Sequence, residues 1–185
     1  MTVPLFIPYV NRPDLLKKAV ESVRCDGVST FVLNNSESEI DVPSRVCAPE
    51  VPLTFAQTQN WMLKSARVNQ HPFYLFMHSD AEAVGDTVQR LVAMANAFTD
   101  QKRKWGAIFT SYDALAAFHT EAMKEVGGWD TMLTWYLSDC DMYRRLRLAG
   151  YELIDSNLPV LHTASQTLKS DPAVKLRVDL EGPFR

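Results

Sequence analysis

A short apolar segment that gives way abruptly to polar residues constrains this fold more than any other feature. Phe73 to Met77 is uninterrupted apolar sequence, and His78, Ser79, Asp80 and Glu82 follow it within FYLFMHSDAEAVG. A run this short and rich in aromatic residues predicts a buried strand. Ligands of an open α/β sheet bind beyond the carboxyl ends of its strands. An imidazole and carboxylates there indicate a divalent-metal site for a phosphorylated ligand, and a polar turn with Asp80 capping a helix is the alternative.

The composition is typical of a soluble globular domain. The chain has 185 residues, of which 46% are hydrophobic and 22% are charged, so we expect one domain with a sizeable core. A formal charge of −3 gives no indication of a general nucleic-acid surface. No apolar run approaches membrane-spanning length, and the N-terminus lacks the features of a signal peptide. Three widely spaced cysteines suit a reducing compartment, so a cytoplasmic protein is expected.

Strand and helix patterns alternate along the chain. Residues 3–10 and 30–33 are predicted strands, and the helical apolar stripe between them makes a β-α-β unit with a parallel strand pair. Further strands are predicted at 45–48, 105–109, 114–118, 151–154 and 158–161. Further helices are predicted at 55–66, 86–98 and 120–126, and after Ser138, which is the expected N-cap of the last one. The pattern predicts an α/β fold with a central, mostly parallel sheet and helices on both faces.

The order of these signals resembles glycosyltransferase family 2, the inverting nucleotide-sugar transferases of the GT-A fold. The most specific similarity is EAMKEVGGWDTMLTWYLSDCDMYRRLRLAGYELI, which resembles the family pattern E-A-x-x-x-V-G-G-F-D…E-D-x-D-x-x-x-R-L-R-x-A-G-Y. The opening strand and helix of the family are similar to LFIPYVNRPDLLKKAVESV, and its second strand is similar to FVLNNS. Its helix with the pattern N-x-G-x-A-x-A-x-N-x-G is similar to FAQTQNWMLKSA. The segment that holds its DxD motif is similar to MHSDAEAV, and its last strand is similar to PVLHTASQT. The resemblance implies a GT-A domain over residues 1–167 and a tail or lid over residues 168–185.

The resemblance also implies a reaction and roles for individual residues. A sugar would pass from a nucleoside-diphosphate donor to an acceptor hydroxyl with inversion, assisted by Mn²⁺ or Mg²⁺. The implied metal ligands are Asp80, His162 and His78, and Glu82 is a further candidate. Asp139 matches the catalytic aspartate and would accept the proton of the acceptor. Stabilising charge in the first turn of a helix is the alternative explanation for Asp139.

The remaining candidate residues fall into two groups. The residues expected to bind the nucleotide-sugar are Pro8, Asn11, Arg12, Asn34, Asn35, Asn60 and Ser79. The residues expected near the acceptor or the sugar are Trp129, Asp130, Trp135 and Asp141. Hydrophobic packing is an equal alternative for Trp129, and a structural role is an alternative for Asp141. Asparagine is a poor residue for the middle of a helix, so Asn60 is expected either to make a specific hydrogen bond or to be exposed.

Three departures from the family pattern bear on the function. Asn34 and Asn35 stand where an acidic residue usually binds the base, so a base other than uracil is expected. His78 replaces the first aspartate of the DxD motif, which leaves the predicted metal site with less negative charge. Ser138 replaces the glutamate that usually precedes the catalytic aspartate.

Two other functions are compatible with the sequence. A nucleotidyltransferase can use the same kind of sheet, but YVNRPD is not the glycine-rich basic loop expected after its first strand. A non-catalytic module that binds a nucleotide, a glycan or a partner protein would explain the changed residues, although the retention of Asp80 and Asp139 counts against it. The acceptor, whether a glycan, a protein, a small molecule or a modified nucleic-acid base, is not indicated by the sequence.

Overall fold

A computed structural model describes residues 2–133 and 137–162, together with Lys169 and Lys175. The strands are β1 (Val3–Tyr9), β2 (Val28–Asn34), β3 (Arg45–Cys47), β4 (Phe73–Met77), β5 (Ala81–Ala83), β6 (Trp105–Thr110), β7 (Tyr112–His119), β8 (Glu152–Asp155) and β9 (Val160–His162). The helices are α1 (Pro13–Ser22), α2 (Phe55–Val68), α3 (Thr87–Asp100), α4 (Thr120–Glu125) and α5 (Ser138–Leu148). The tail predicted over residues 168–185 lies outside the described residues, apart from the two lysines.

Seven strands form a central sheet in the order β3-β2-β1-β4-β7-β6-β8. β1 pairs in parallel with both β2 and β4, as the sequence predicted, and the β2–β3 and β6–β8 pairs are also parallel. β7 is antiparallel to both of its neighbours, and its connection to β6 is too short for the crossover that a parallel pair would need. The predicted α/β architecture with a mostly parallel sheet is therefore confirmed.

Helices cover both faces of the sheet. Successive side chains of a strand point to opposite faces, so Leu5 and Ile7 join one apolar cluster while Phe6 joins another. Side chains of α1 and α3 complete the first cluster, among them Leu16, Val20, Val88 and Leu91. Side chains of α2, α4 and α5 complete the second, among them Met62, Met123 and Leu146. Burial on both faces explains why β4 is apolar throughout instead of alternating.

The carboxyl ends of the central strands meet at one edge of the sheet. β1, β2 and β4 run in the same direction, and the backbone N–H of Asn35 after β2 donates to the carbonyl of Tyr9 at the end of β1 (2.8 Å). The β6–β7 hairpin turns at the same edge, since Leu115 of β7 lies opposite Met77 at the end of β4. This edge is where the fold predicts a ligand site.

A separate two-stranded ribbon lies outside the sequence prediction. No strand was predicted at residues 81–83, but they form β5 and pair antiparallel with β9, with Ala81 opposite His162. The predicted strand at 158–161 is observed as β9 in this ribbon. The backbone N–H of Ala83 donates to Ser22 Oγ (3.0 Å), which attaches the ribbon to α1. Three residues are too few for a period-two pattern to be recognised in the sequence.

The start of α5 also differs from the prediction. Ser138 was expected to be the N-cap, but it is the first residue of the helix and is fully buried. Leu137 occupies the capping position in a left-handed conformation, with φ of 65°, and makes no side-chain cap. The backbone reversal at Leu137 therefore starts the helix, and Asp139 still lies in its first turn. Among the described residues, no helix is both long and apolar enough to cross a membrane.

Candidate functional site

Three metal-capable side chains come together at the carboxyl end of β4. β4 leads directly into His78, a tight turn closed by the Ala81 N–H and the His78 carbonyl (3.1 Å) presents Asp80, and the β5–β9 ribbon brings in His162. One possible ligand atom of each residue lies within 4.8 Å of the others. His162 Nε2 is 3.2 Å from Asp80 Oδ1. Two imidazoles and a carboxylate form a donor set that suits Mn²⁺, and all three predicted ligands are in it.

Two neighbouring acidic residues lie outside this cluster of three. Glu82 was a further ligand candidate, but its side chain lies outside the cluster and approaches Lys18 Nζ (4.0 Å). Asp113 was not singled out in the sequence, yet its Oδ1 lies 3.6 Å from His78 Nε2. Asp113 is 5% exposed, and its Oδ2 accepts a hydrogen bond from the hydroxyl of Tyr143 (2.8 Å). A second carboxylate therefore lies directly behind the imidazole of His78.

The electrostatics of this region favour a cation. The hydrogen bond with Asp80 raises the pKa of His162 and outweighs the opposite effect of its burial. Burial raises the pKa of Asp113, but the neighbouring His78 imidazole and the Tyr143 hydroxyl act more strongly together, so its pKa is below the ordinary value. A carboxylate with a lowered pKa is ionised at neutral pH. The site therefore concentrates negative charge on the carboxylates of Asp80, beside His162, and of Asp113, beside His78.

Asp139, the predicted base, lies in the first turn of α5 and contacts the β6–β7 hairpin. The hydroxyl of Tyr112 donates a hydrogen bond to Asp139 Oδ2. Tyr112 has a φ of 51° at the tip of this hairpin, a conformation that non-glycine residues rarely adopt. Burial and the neighbouring Asp139 carboxylate raise the pKa of Tyr112, so its hydroxyl stays protonated as a donor.

The hairpin links Asp139 with the metal-capable cluster. Tyr143 follows Asp139 by one helical turn and donates to Asp113, which faces His78. Tyr112 and Asp113 thus contact the two ends of the site from adjacent positions. Sequence reasoning missed both, because they lie between two apolar strands and in no recognised motif. The available signal was an aspartate at the start of the apolar segment DALAAF.

The two asparagines at the end of β2 hydrogen-bond within the protein. Asn34 donates to the Ser38 carbonyl (2.8 Å), and its side-chain oxygen accepts from the Ser36 backbone (2.9 Å). Asn35 donates to Thr58 Oγ1 (3.1 Å), and its oxygen accepts from the Leu53 backbone (3.1 Å). Both amides therefore hold the loop that follows β2, which reduces what they can offer to a nucleotide base.

The other predicted nucleotide-side residues lie at the carboxyl ends of β1 and β4. Pro8 is half-buried near the end of β1, and Asn11 and Arg12 follow the strand. Arg12 forms a paired contact with Asp14 (2.9 and 2.7 Å), and this hydrogen bonding lowers the pKa of Asp14 to about 2. Ser79 is buried in the turn between His78 and Asp80. The structure thus groups these residues at the same edge as the metal-capable cluster.

Asn60 is engaged in a structural contact. Its side-chain amide donates to the carbonyl of Trp129 and its oxygen accepts from the backbone N–H of Trp129, both at 2.8 Å. The specific hydrogen bond considered for a mid-helix asparagine is therefore present. A Cβ at Gly128 would lie 2.7 Å from Asn60 Oδ1, and Gly128 has a φ of +74°, so glycine is needed there. The contact fixes the turn that leads towards α5.

Asp141 and Arg145 hold the other side of this turn. Arg145 binds Asp141 Oδ2 through two nitrogens (2.8 and 2.6 Å), and it also donates to the carbonyls of Val126 and Gly128. Its helical spacing places Arg145 on the outer face of α5 with Arg144 and Arg147, which predicts a solvated side chain, but it is half-buried against the turn. The V-G-G and D-x-x-x-R parts of the recognised block are thus one hydrogen-bonded unit.

Trp129, one of the residues expected near the acceptor or the sugar, is buried in the apolar core. This side chain is 2% exposed and packs against Phe55, Phe118 and Tyr143, with ring centroids 5.4, 6.1 and 6.1 Å away. Hydrophobic packing, the alternative left open by the sequence, describes it. Asp130 is exposed and accepts a hydrogen bond from the Met132 backbone (2.9 Å). Trp135 lies outside the described residues.

Comparison with known proteins supports the fold through structure alone. No protein-family model matches the chain, and no curated protein matches its sequence. S. aureus TarS superposes with a TM-score of 0.65 at 12% identity, over 96% of this chain and 40% of TarS. Drosophila β1,4-galactosyltransferase 7, a mutant in complex with manganese, UDP-Gal and xylobiose, superposes with a TM-score of 0.58 at 12% identity, over 91% of this chain and 73% of that one. The chain has the GT-A fold.

A fragment of TarS gives the same result. TarS 1–349 in complex with UDP-GlcNAc superposes with a TM-score of 0.52 at 14% identity, over 70% of this chain and 49% of that one. This chain thus spans less than two thirds of the TarS chains that it matches. The resemblance to glycosyltransferase family 2 is confirmed at the level of the fold.

Proposed function

We propose that the protein is a metal-dependent glycosyltransferase that moves a sugar from a nucleoside-diphosphate donor to an acceptor hydroxyl with inversion. The observation that carries this proposal is the cluster of His78, Asp80 and His162 at the carboxyl end of β4 in a GT-A fold. The manganese and UDP-Gal bound to β1,4-galactosyltransferase 7 and the UDP-GlcNAc bound to TarS 1–349 support a nucleotide-sugar as the donor.

The donor set fits a divalent cation with some affinity for nitrogen. His78, Asp80 and His162 would hold Mn²⁺ in preference to Mg²⁺, because Mg²⁺ favours oxygen ligands and retains its waters. When bound, the cation supplies positive charge that stabilises the departing diphosphate. The remaining chemistry belongs to the protein's own side chains, which orient the donor and receive the proton.

Asp139 is the base in this proposal. The acceptor hydroxyl loses its proton to the Asp139 carboxylate as its oxygen forms a bond to the anomeric carbon. The bond between that carbon and the diphosphate oxygen breaks, and its electron pair leaves with the diphosphate. One displacement from the opposite face inverts the anomeric centre. The Tyr112 hydroxyl, which donates to Oδ2, holds the carboxylate in place, so the acceptor hydroxyl would donate to Oδ1.

The donor would lie across the carboxyl ends of β1, β2 and β4. Pro8, Asn11, Arg12 and Ser79 would line the nucleotide-sugar, with Asn34 and Asn35 shaping the wall through the loop that they hold. Asp130 and Trp135 are the proposed acceptor-side residues. Asn60, Trp129 and Asp141 support this region through their structural contacts instead of touching the substrates.

A thermal-shift screen of nucleoside diphosphates and their sugars, each with Mn²⁺ or with chelator, tests the proposal. A ligand that binds only the native state raises the melting temperature by mass action. We expect at least one nucleoside diphosphate to stabilise the wild-type protein in Mn²⁺ and not in chelator, and the effect to disappear in His162→Ala. Equal stabilisation in chelator would remove the metal from the proposal, and no stabilisation by any nucleotide in Mn²⁺ would contradict the donor assignment.

A further inference from the structure

Asp113 is a buried carboxylate that takes no part in the sugar transfer proposed above. It is 5% exposed, and no other acidic or basic residue in the described part of the chain is as deeply buried. Burying a carboxylate is unfavourable unless the charge is paired and its oxygens receive hydrogen bonds. Asp113 is the second residue of β7, at the ligand-binding edge of the sheet, and its buried charge therefore needs a specific partner there.

Both oxygens of Asp113 have defined neighbours. Oδ2 accepts from the hydroxyl of Tyr143 (2.8 Å), which attaches the carboxylate to α5. Oδ1 lies 3.6 Å from His78 Nε2, which is an ion-pair distance slightly longer than a hydrogen bond. The backbone of the adjacent Ala114 also accepts a hydrogen bond from the His78 N–H (3.0 Å). His78 is thus held at its backbone and faced at its ring by consecutive residues of β7.

Two other rings lie close to the imidazole of His78. Its centroid lies 5.0 Å from the ring of Phe76 and 5.1 Å from the ring of His162. In metal-bound histidines, the N–H of the second ring nitrogen usually donates a hydrogen bond to a carboxylate or a carbonyl, which fixes the tautomer and the orientation of the ring. With Nε2 directed at Asp113, Nδ1 is the nitrogen that remains for a cation.

We propose that Asp113 is a positioning residue for His78: its carboxylate accepts the Nε2 proton and thereby presents the Nδ1 lone pair to the cation at the His78–Asp80–His162 cluster. The proposal rests on the proposed function, since it presupposes a metal in that cluster. Tyr143 anchors the carboxylate from the side of α5, so the same residue ties the metal site to the helix that carries Asp139.

Manganese affinity, measured by titration with electron paramagnetic resonance, tests this role directly. Loss of a hydrogen-bond partner to a metal ligand typically weakens metal affinity by about 10–100-fold. We expect that loss for Asp113→Ala, which removes both carboxylate oxygens, in the intact chain, and no further loss when the substitution is made in a His78→Ala background. Tyr143→Phe is the matched control, because it removes a hydrogen bond from the same carboxylate without removing the acceptor for His78, and we expect it to weaken Mn²⁺ binding less than Asp113→Ala does.

The nitrogen that binds the metal can also be identified in the wild-type protein, whose folding is not in question. With ¹⁵N-labelled histidine and Cd²⁺ as a diamagnetic probe, we expect coupling of the cation to Nδ1 of His78 and a protonated Nε2. Coupling through Nε2 would overturn the proposal, as would unchanged Mn²⁺ affinity in a folded Asp113→Ala variant.

The same experiments separate this inference from the proposed function. If Asp80→Ala abolishes Mn²⁺ binding and Asp113→Ala leaves it at the wild-type level, the metal site stands and only the positioning role fails. If the wild-type protein and Asp80→Ala bind Mn²⁺ equally, the metal site itself is wrong, and the role of Asp113 fails with it. A lowered melting temperature with unchanged Mn²⁺ affinity would make Asp113 a purely structural residue.

Discussion

Substituting Asn60 by alanine tests whether this side chain supports the fold or binds the donor. The substitution removes two hydrogen bonds with the backbone N–H and carbonyl of Trp129, both 2.8 Å long. Trp129 is 2% exposed, so water has little access to the groups left behind. A buried polar group without a partner costs about 1–3 kcal/mol. Two such groups give an expected loss of roughly 2–4 kcal/mol in the free energy of unfolding, since part of the loss is relieved by relaxation.

Asn69→Ala is a matched control at the end of the same helix. Asn69 donates a side-chain hydrogen bond to the Ser65 carbonyl (2.8 Å), but it is exposed, so water replaces that bond. The expected change for Asn69→Ala is within about 0.5 kcal/mol, the usual range for surface substitutions. Urea denaturation of the two variants beside the wild type measures the difference.

Two outcomes would refute the reasoning about Asn60. A loss in Asn60→Ala no larger than that in Asn69→Ala would show that the contacts with Trp129 contribute little. Wild-type stability in Asn60→Ala together with weaker binding of nucleoside diphosphates would return Asn60 to the donor site.

Three further predictions concern the turn before α5, one helix cap and the proposed base. Gly128→Ala places a Cβ 2.7 Å from Asn60 Oδ1 at a positive φ, so we expect a loss of at least about 1–2 kcal/mol by urea denaturation. Burial lowers the pKa of His119, whose Nδ1 accepts the Ala122 N–H to cap α4 (3.2 Å). Folding therefore favours the neutral ring, and wild-type stability relative to His119→Asn should fall as the pH drops below about 6.5; a pH-independent difference would contradict this. Asp139→Asn should keep nucleotide binding and lose about 10²–10⁴-fold in turnover in a donor-consumption assay, whereas unchanged turnover would remove it from the mechanism.

Much of the sheet was predictable because its strands are buried on both faces. The apolar segment at 73–77 and the β-α-β pattern at the N-terminus both follow from burial and periodicity, and both are confirmed. The family resemblance implied the grouping of His78, Asp80 and His162, and the structure brings the three together, although His162 comes in through the β5–β9 ribbon and not through the central sheet.

The features that the sequence did not predict depend on contacts between distant parts of the chain. The β5–β9 ribbon pairs residues about 80 positions apart over only three residues per strand, and no local pattern encodes such a pairing. Arg145 has the spacing of a solvated helix face, yet two carbonyls 17 and 19 residues away give it a half-buried position. Tyr112 and Asp113 resemble ordinary turn residues until the hairpin is folded against α5 and β4.

The central claim is that the His78–Asp80–His162 cluster holds the cation needed for sugar transfer. Its most direct test is consumption of nucleoside-diphosphate sugars, followed by NMR with Mn²⁺ and with chelator, for the wild type, Asp80→Ala and Glu82→Ala. Glu82 is a matched control because it lies two residues from Asp80 but faces Lys18 and not the cluster. We expect consumption of at least one sugar donor by the wild type and by Glu82→Ala in Mn²⁺, and none by Asp80→Ala or in chelator. Undiminished consumption by Asp80→Ala would contradict the claim.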